Sequence, residues 1–269
     1  PIYDPTGFYL AFGGGLPFKF PTAMVAVRVM EELYPEFIKK EYESTGAMLA
    51  YWSVTNNYNI VATRKPVRTL ADLKGMKIRS GGGIHADVLK ALGAVPVMMP
   101  TPEIYASLER GVIDGCFMSP ASAISYRLNE VGKHMTSLPV ATTDVPAAMS
   151  PKSFKKLPPD LQDIVYQVFR EGGMNVAEGY EHETQKGIEQ WVKLGGQVMQ
   201  VDEKEAGKFR QSVKDVDEKW IADCVKVGKG KEAKDMLQKM DKLVEKYGKM
   251  PEAQLLKEHF ETAKLKKLY

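Results

Sequence analysis

The sequence predicts an α/β protein, and three features carry that reading. A strand, glycine turn, helix and second strand follow one another over residues 76–99, and a long amphipathic helix opens at Pro158-Pro159-Asp160. At 269 residues the chain is also long enough to bury the core of two α/β lobes or of one large domain.

Composition narrows the class further. Apolar residues make up 44% and charged residues 26%, which excludes a disordered chain and a membrane bundle. The longest apolar stretch, Phe20 to Met30, is interrupted by Thr22 and Arg28, so nothing is long and clean enough to span a bilayer, and a soluble protein is expected. With 37 Lys/Arg against 34 Asp/Glu and no block of like charge, no nucleic-acid partner is expected. Cys116 and Cys224 have no metal-like spacing, and either a bridge or two free thiols fits. The sequence opens at Pro1-Ile2-Tyr3-Asp4-Pro5 without an initiator Met or a readable signal peptide, so processing or truncation is expected to have removed what came first.

The elements follow in order. Gly13-Gly14-Gly15 is a loop, and Thr22 precedes a helical pattern to about Tyr42 in which Pro35 imposes a kink or break. Met48 to Ala62 reads as β, with a crossing or turn at Asn56-Asn57. Met76 to Arg79 is a strand, Ser80 to Gly83 a flexible turn, Ile84 to Leu92 a helix ended by Gly93, and Val95 to Met99 a strand, which makes a βαβ unit. Thr101-Pro102-Glu103 suits a helix start, with Thr as cap and Pro at the first position. Leu138 to Met149 is extended. The helix from Pro159 carries Leu161, Ile164, Val165, Val168 and Phe169 on one face and is predicted to run as far as Trp191, long enough to serve two lobes. A short strand at 197–200 precedes helices to the end, whose Met and aromatic stripe reads as core and whose basic Lys264 to Lys267 reads as a solvated helix end.

Motifs for chemistry are absent. The four histidines are scattered without metal-ligand spacing, no serine sits in a GxSxG elbow, and Gly81 to Gly83 lacks the rest of a dinucleotide fingerprint. Arg79 stands apart, because an arginine ending a strand just before a glycine turn and a helix N-terminus combines a two-pronged donor with backbone N–H groups, which suits a carboxylate. A surface arginine paired with a nearby acid fits the spacing equally well.

DLKGMKIRSGGG at 72–83, VLKALGAVPVMMPTPEIYASLERGVIDG at 88–115 and LPPDLQDIVYQVF at 157–169 together resemble the solute-binding family of tripartite ATP-independent periplasmic (TRAP) transporters. The resemblance covers roughly residues 13–225 and rests on the order and spacing of the three pieces. It implies a two-lobe periplasmic-binding-protein-like fold with crossing strands, discontinuous lobes and a long shared helix. Lobe one is expected over 1–57 and 145–185, lobe two over 58–144 and 186–228, and a C-terminal helical extension over 229–269. The first part of lobe one, supplied in the family by residues ahead of the point matching Pro1, is expected to lie outside this chain and to leave a sheet edge unpaired.

The same resemblance implies a periplasmic receptor, expected to be a monomer, that binds a small organic carboxylate without cofactor or catalysis and delivers it to a sodium-driven membrane permease. Arg79 matches the arginine that pairs with the ligand carboxylate, and Ser119 falls where many relatives place a ligand-touching asparagine. Asn59 falls where sialic-acid-binding members carry a second arginine, so a smaller or less polar acid is expected. Trp52, Phe18, Tyr105, Phe117, Met118 and Asp144 complete the candidate pocket. With one strong cation and much apolar material, the ligand is expected to be a monocarboxylate such as a 2-oxo, 2-hydroxy or aromatic acid. Two other classes compete: an α/β-cleft enzyme, which would need Asp87, Glu103 or Asp114 to partner Arg79, and an interaction module with a vestigial, side-chain-filled pocket.

Overall fold

The computed structural model describes residues 7–263. Residues 1–6 and 264–269, including the basic Lys264–Lys267 stretch, lie outside the described residues. Six strands form one mixed sheet in the order β4 (Val95–Met98), β3 (Lys77–Ser80), β5 (Gly115–Met118), β2 (Tyr58–Thr63), β6 (His134–Ala141) and β8 (Gln197–Gln200). β3 runs parallel to both β4 and β5, β2 is antiparallel to β5 and β6, and β8 is parallel to β6. A separate antiparallel ribbon pairs β1 (Met48–Tyr51) with β7 (Ala147–Met149).

The backbone passes between the two sheets twice. Residues 52–57 and 142–146 run side by side, tied by Thr55 N–H to the Thr143 carbonyl at 2.9 Å, Val145 N–H to the Ser53 carbonyl at 2.8 Å, and a bridge between Val54 and Asp144. The crossing expected at Asn56-Asn57 within residues 48–62 is present and begins earlier, at residue 52, because each half finds a different partner strand.

α1 (Ala23–Leu33) is capped by the Thr22 hydroxyl, which accepts from Val25 N–H. Pro35 does not break the helix that follows. It widens it into a π turn over Tyr34–Ile38, closed by Lys39 N–H on the Tyr34 carbonyl, before α2 (Lys39–Ser44) resumes. In the βαβ unit, Gly82 and Gly83 take φ of 103° and 55°, a turn that side chains resist, and α3 (Ile84–Ala91) starts directly after it.

Thr101 does not cap a helix as its position suggested: residues Thr101–Glu103 form a 3-10 turn that leads into α4 (Ile104–Glu109), and the Thr101 hydroxyl is taken by Arg79. α5 (Pro120–Ser125) is an element the sequence reading lacked, capped by the Ser119 hydroxyl. A short α6 (Pro151–Phe154) precedes α7 (Pro159–Lys193), whose 35 residues span about 52 Å at the usual rise per residue.

α7 touches both sheet regions. Near its middle, Gly173 sits so close to the crossing segment that a Cβ there would lie 2.3 Å from the Trp52 carbonyl oxygen. Nearer its end, Gly187 packs on the start of α5, and Trp191 is fully buried in the core that also holds Val61, Ile104, Leu108 and Met118. The second and larger core gathers α1, the ribbon, α3 and the C-terminal helices.

The helices predicted after the strand at 197–200 are α8 (Glu203–Ser212), α9 (Val216–Lys226), α10 (Gly230–Gly248) and α11 (Glu252–Ala263). α10 lies along α1 and α11 against α7. There a charged cluster is buried: Arg170 of α7 meets Glu31 of α1 at 2.8 Å with both side chains 1% exposed, and His259 of α11 accepts or donates nothing to solvent, its Nε2 lying 2.9 Å from the Arg170 carbonyl. No helix among the described residues is long and apolar enough to cross a membrane.

Candidate binding site

Strand directions bring the predicted residues to one edge. Because β3, β4 and β5 are parallel, their C-terminal ends lie together, and ligands bind off such ends in α/β sheets. Antiparallel β2 adds its first residues, with Asn59 opposite Met118, and β6 adds its last, with Ala141 opposite Tyr58. Arg79, Ser119, Asn59, Phe117 and the 141–144 segment therefore converge on a single edge, from which the two crossing segments leave.

Arg79 is 2% exposed and firmly oriented. Its Nε and Nη2 both donate to the Met99 carbonyl, at 3.1 and 3.0 Å, Nη2 also reaches the Thr101 hydroxyl at 3.3 Å, and the guanidinium hydrogen-bonds the Cys116 sulfur. Burial pushes the Cys116 thiol up to about 12 in spite of that cation, so it stays a neutral thiol. This is a guanidinium held in place by the residues that follow β4 at the C-terminal edge of the sheet.

Aromatic rings line the other side of β5. Residues alternate along the strand, so Phe117 faces the larger core while Cys116 and Met118 face the smaller one. Phe117, Tyr58 and His85 form a mutual cluster with ring centroids 5.2–5.4 Å apart. Trp52 is fully buried, and its indole N–H donates to Asp144 Oδ1 at 2.8 Å. Burial pushes the Asp144 carboxyl up to about 7, against the opposing pull of that hydrogen bond. Phe18 lies half-buried on the larger core, its backbone N–H donating to the Val140 carbonyl at 2.7 Å.

The other candidates have partners within the protein. The Ser119 hydroxyl is the N-cap of α5, accepting from Ser122 N–H and bonding to the Ser122 hydroxyl at 2.8 Å. Asn59 accepts from Leu138 N–H at 2.9 Å, which makes it a latch between β2 and β6. Met118 packs into the smaller core, and the Tyr105 hydroxyl donates to Glu130 at 2.9 Å on the surface. Of the acids an enzyme would need, Asp114 caps Lys77 N–H at the opposite end of the strands, Asp87 pairs with Lys219 at 2.8 Å, and Glu103 is exposed.

His85 was missed by the sequence reading. It is 1% exposed in the first turn of α3, its Nε2 lies 2.9 Å from the Thr142 carbonyl, and burial, helped by the Arg79 charge, lowers its pKa to about 4. The available signal was its place beside Ile84 and on the face of Val88 and Leu89, the buried side of a helix that starts just after Arg79. A cavity of about 20 Å³ lies between Phe12, Gly15, His85 and Asp144. Larger depressions, of about 590 Å³ between α5 and α7 and about 260 Å³ between α3 and α9, are lined without Arg79.

Comparison with known proteins accounts for this arrangement. Residues 13–223 match the family model of bacterial extracellular solute-binding proteins, family 7. A solute-binding protein of Albidiferax ferrireducens is 36% identical over 129 residues, which are 47% of this chain and 38% of that protein, so the chain spans well under two thirds of the curated relative it matches. Among solved structures, a TRAP solute-binding protein of Rhodoferax ferrireducens with copurified benzoate superposes with a TM-score of 0.85 at 24% identity, covering 93% of this chain and 78% of that one. One from Bordetella bronchiseptica with bound (R)- and (S)-mandelate gives 0.81 at 25% identity, covering 91% and 78%. The mixed α/β architecture is thus that of the two-lobe TRAP solute-binding proteins.

Proposed function

The chain belongs to family 7 of the bacterial extracellular solute-binding proteins, the DctP family, and on that premise we propose that it is an extracytoplasmic receptor for a small organic acid, most suited to a monocarboxylate. The observation that carries the proposal is Arg79, a buried guanidinium oriented by the Met99 carbonyl at the C-terminal edge of parallel strands, with the Tyr58–His85–Phe117 cluster on the other face of β5. A carboxylate arriving there exchanges the neutral Thr101 and Cys116 acceptors for charged oxygens, while Met99 keeps the guanidinium in register. The aromatic walls match a ligand with an apolar body, and benzoate and mandelate in two structural neighbours are such acids.

The lobe division goes with this reading: residues 1–57 and 145–185 in one lobe, 58–144 and 186–228 in the other, with 229–269 as an extension. Closure then bends the paired crossing segments at 52–57 and 142–146. The receptor performs no chemistry on the solute and hands it to a sodium-driven TRAP permease in the periplasm. Supporting the non-catalytic reading, Asp87 and Asp114 are held by Lys219 and by Lys77 N–H, away from Arg79.

Calorimetric titration with small mono- and dicarboxylates tests the proposal, using the wild type, Arg79→Lys and Arg79→Ala, with circular dichroism to confirm folding. Lysine keeps the charge but loses the two-pronged geometry, and loss of one charge-assisted hydrogen bond weakens binding by roughly one to two decades. Alanine is expected to abolish measurable binding. Alanine binding within twofold of wild type removes Arg79 from the site, and tighter binding of dicarboxylates refutes the monocarboxylate preference.

A further inference from the structure

His85 offers the edge a hydrogen-bond acceptor that the fold itself does not use. The ring nitrogen facing the Thr142 carbonyl, Nε2, must carry a proton, because a carbonyl oxygen only accepts. A ring buried to 1% exposure, with its pKa lowered to about 4, holds a single proton at neutral pH. The other nitrogen, Nδ1, is then a lone pair. It is buried and meets no hydrogen-bond donor among the described residues, and the Thr143 hydroxyl lies 3.4 Å from Nε2, on the wrong side to serve it. The His85 ring packs against those of Tyr58 and Phe117, with centroid separations of 5.2 and 5.3 Å.

Buried acceptors without donors are costly, and native proteins keep few of them. Here the orphan atom belongs to a residue six positions after Arg79, on the helix that opens at the same sheet edge, and close enough to feel the Arg79 charge. A ligand oxygen without hydrogen, such as a 2-oxo group or a second carboxylate, would set lone pair against lone pair. An ammonium group would meet the like charge of Arg79.

We infer that His85 Nδ1 selects a hydroxy acid: the carboxylate of the solute sits on Arg79 and a hydroxyl elsewhere on the same molecule donates to His85. This rests on the carboxylate-receptor reading and narrows it from monocarboxylates in general to those carrying a neutral O–H donor. A donor matched to a buried acceptor is worth about tenfold to a hundredfold in dissociation constant over the analogue that lacks it.

The test is calorimetric titration of matched acids that differ only at one group: mandelate, phenylglyoxylate and phenylacetate; 3-hydroxybenzoate and benzoate; lactate, pyruvate and propionate. At least one set is expected to show the hydroxy acid binding tenfold or more tighter than its oxo and unsubstituted partners. In His85→Phe that preference is expected to vanish while the unsubstituted acid still binds. In the wild type, which needs no variant to fold, the ¹⁵N resonance of Nδ1 is expected to move upfield when the hydroxy acid is added and to stay put with the unsubstituted acid. Binding of carboxylates with less than threefold gain from the hydroxyl in every set overturns the inference and leaves the carboxylate receptor standing, as does a preference that survives His85→Phe. If no carboxylate binds the complete receptor, the underlying reading fails and this one with it.

Discussion

Removing one member of the buried ion pair that joins three helices should be far more damaging at alkaline than at acid pH. Arg170 of α7 and Glu31 of α1 meet at 2.8 Å with 1% of either side chain exposed, and His259 of α11 lies 3.6 Å from the same carboxylate. Arg170→Met fills a similar volume but strands Glu31. Breaking a buried pair in this way costs about 3–5 kcal/mol, which for a chain of this size lowers Tm by about 6–20 °C.

The pH dependence follows from Glu31. Burial already raises its carboxyl to about 7, against the pull of Arg170 and Arg28. A folded pKa above the unfolded one means that the contribution to stability is present below the unfolded value and is lost as pH rises through about 7. Without Arg170 the carboxyl climbs further, so the loss extends to higher pH. Thermal melts of wild type and variant at pH 5.5 and pH 8.5 check this, and the gap should be widest at pH 8.5. Adding Glu31→Gln to the variant should recover most of the difference at pH 8.5, because the stranded charge is gone. A variant within about 1 kcal/mol of wild type at pH 8.5, or a gap that does not change with pH, refutes the reasoning.

Three further outcomes are expected. Gly173→Ala places a Cβ 2.3 Å from the Trp52 carbonyl and should destabilise by about 1–3 kcal/mol, whereas Gly172→Ala, with open space around it in the same helix, should stabilise by about 0.5–1 kcal/mol; urea unfolding of the two variants decides, and equal effects contradict the close approach. Asp144, raised to about 7 by burial, should make wild-type stability fall between pH 5 and pH 8 relative to Asp144→Asn, since a raised carboxyl loses its contribution as pH climbs through that value; parallel melts that stay a constant distance apart count against it. Cys116 and Cys224 are buried free thiols pushed up to about 12, so a thiol reagent at pH 8 should label neither in the native protein and both in denaturant, and rapid native labelling of either rejects the burial argument.

Local chemistry was legible where it acts over a few residues. The glycine turn after Arg79, the helix from Ile84, the strand at Val95 and the long helix from Pro159 all follow from steric punctuation and periodicity, which need no partner to be read. Pro35 was correctly marked as irregular, but whether a helix ends or widens there depends on what surrounds it, and α1, gripped by α7 and α10, continues through a π turn. The strand β5 and helix α5 were overlooked because Gly115–Met118 and Pro120–Ser125 are too short for any period to show.

By itself the sequence determined the α/β class, the βαβ unit, and the position of Arg79 at the end of a strand, since the strand–turn–helix order requires no long-range information. Only the tertiary structure decided what Arg79 touches and which residues join it. Met99 and Thr101 lie twenty and twenty-two positions away, and they meet Arg79 because β4 pairs with β3 in a particular register. His85 became notable only when the fold placed Thr142 against one ring nitrogen and no donor against the other. The Ser119 hydroxyl, read as a ligand contact, also caps α5 by accepting from Ser122 N–H, which only the fold reveals. Which polar atoms a fold satisfies and which it leaves depends on pairings across the whole chain, and those pairings are absent from any local stretch of sequence.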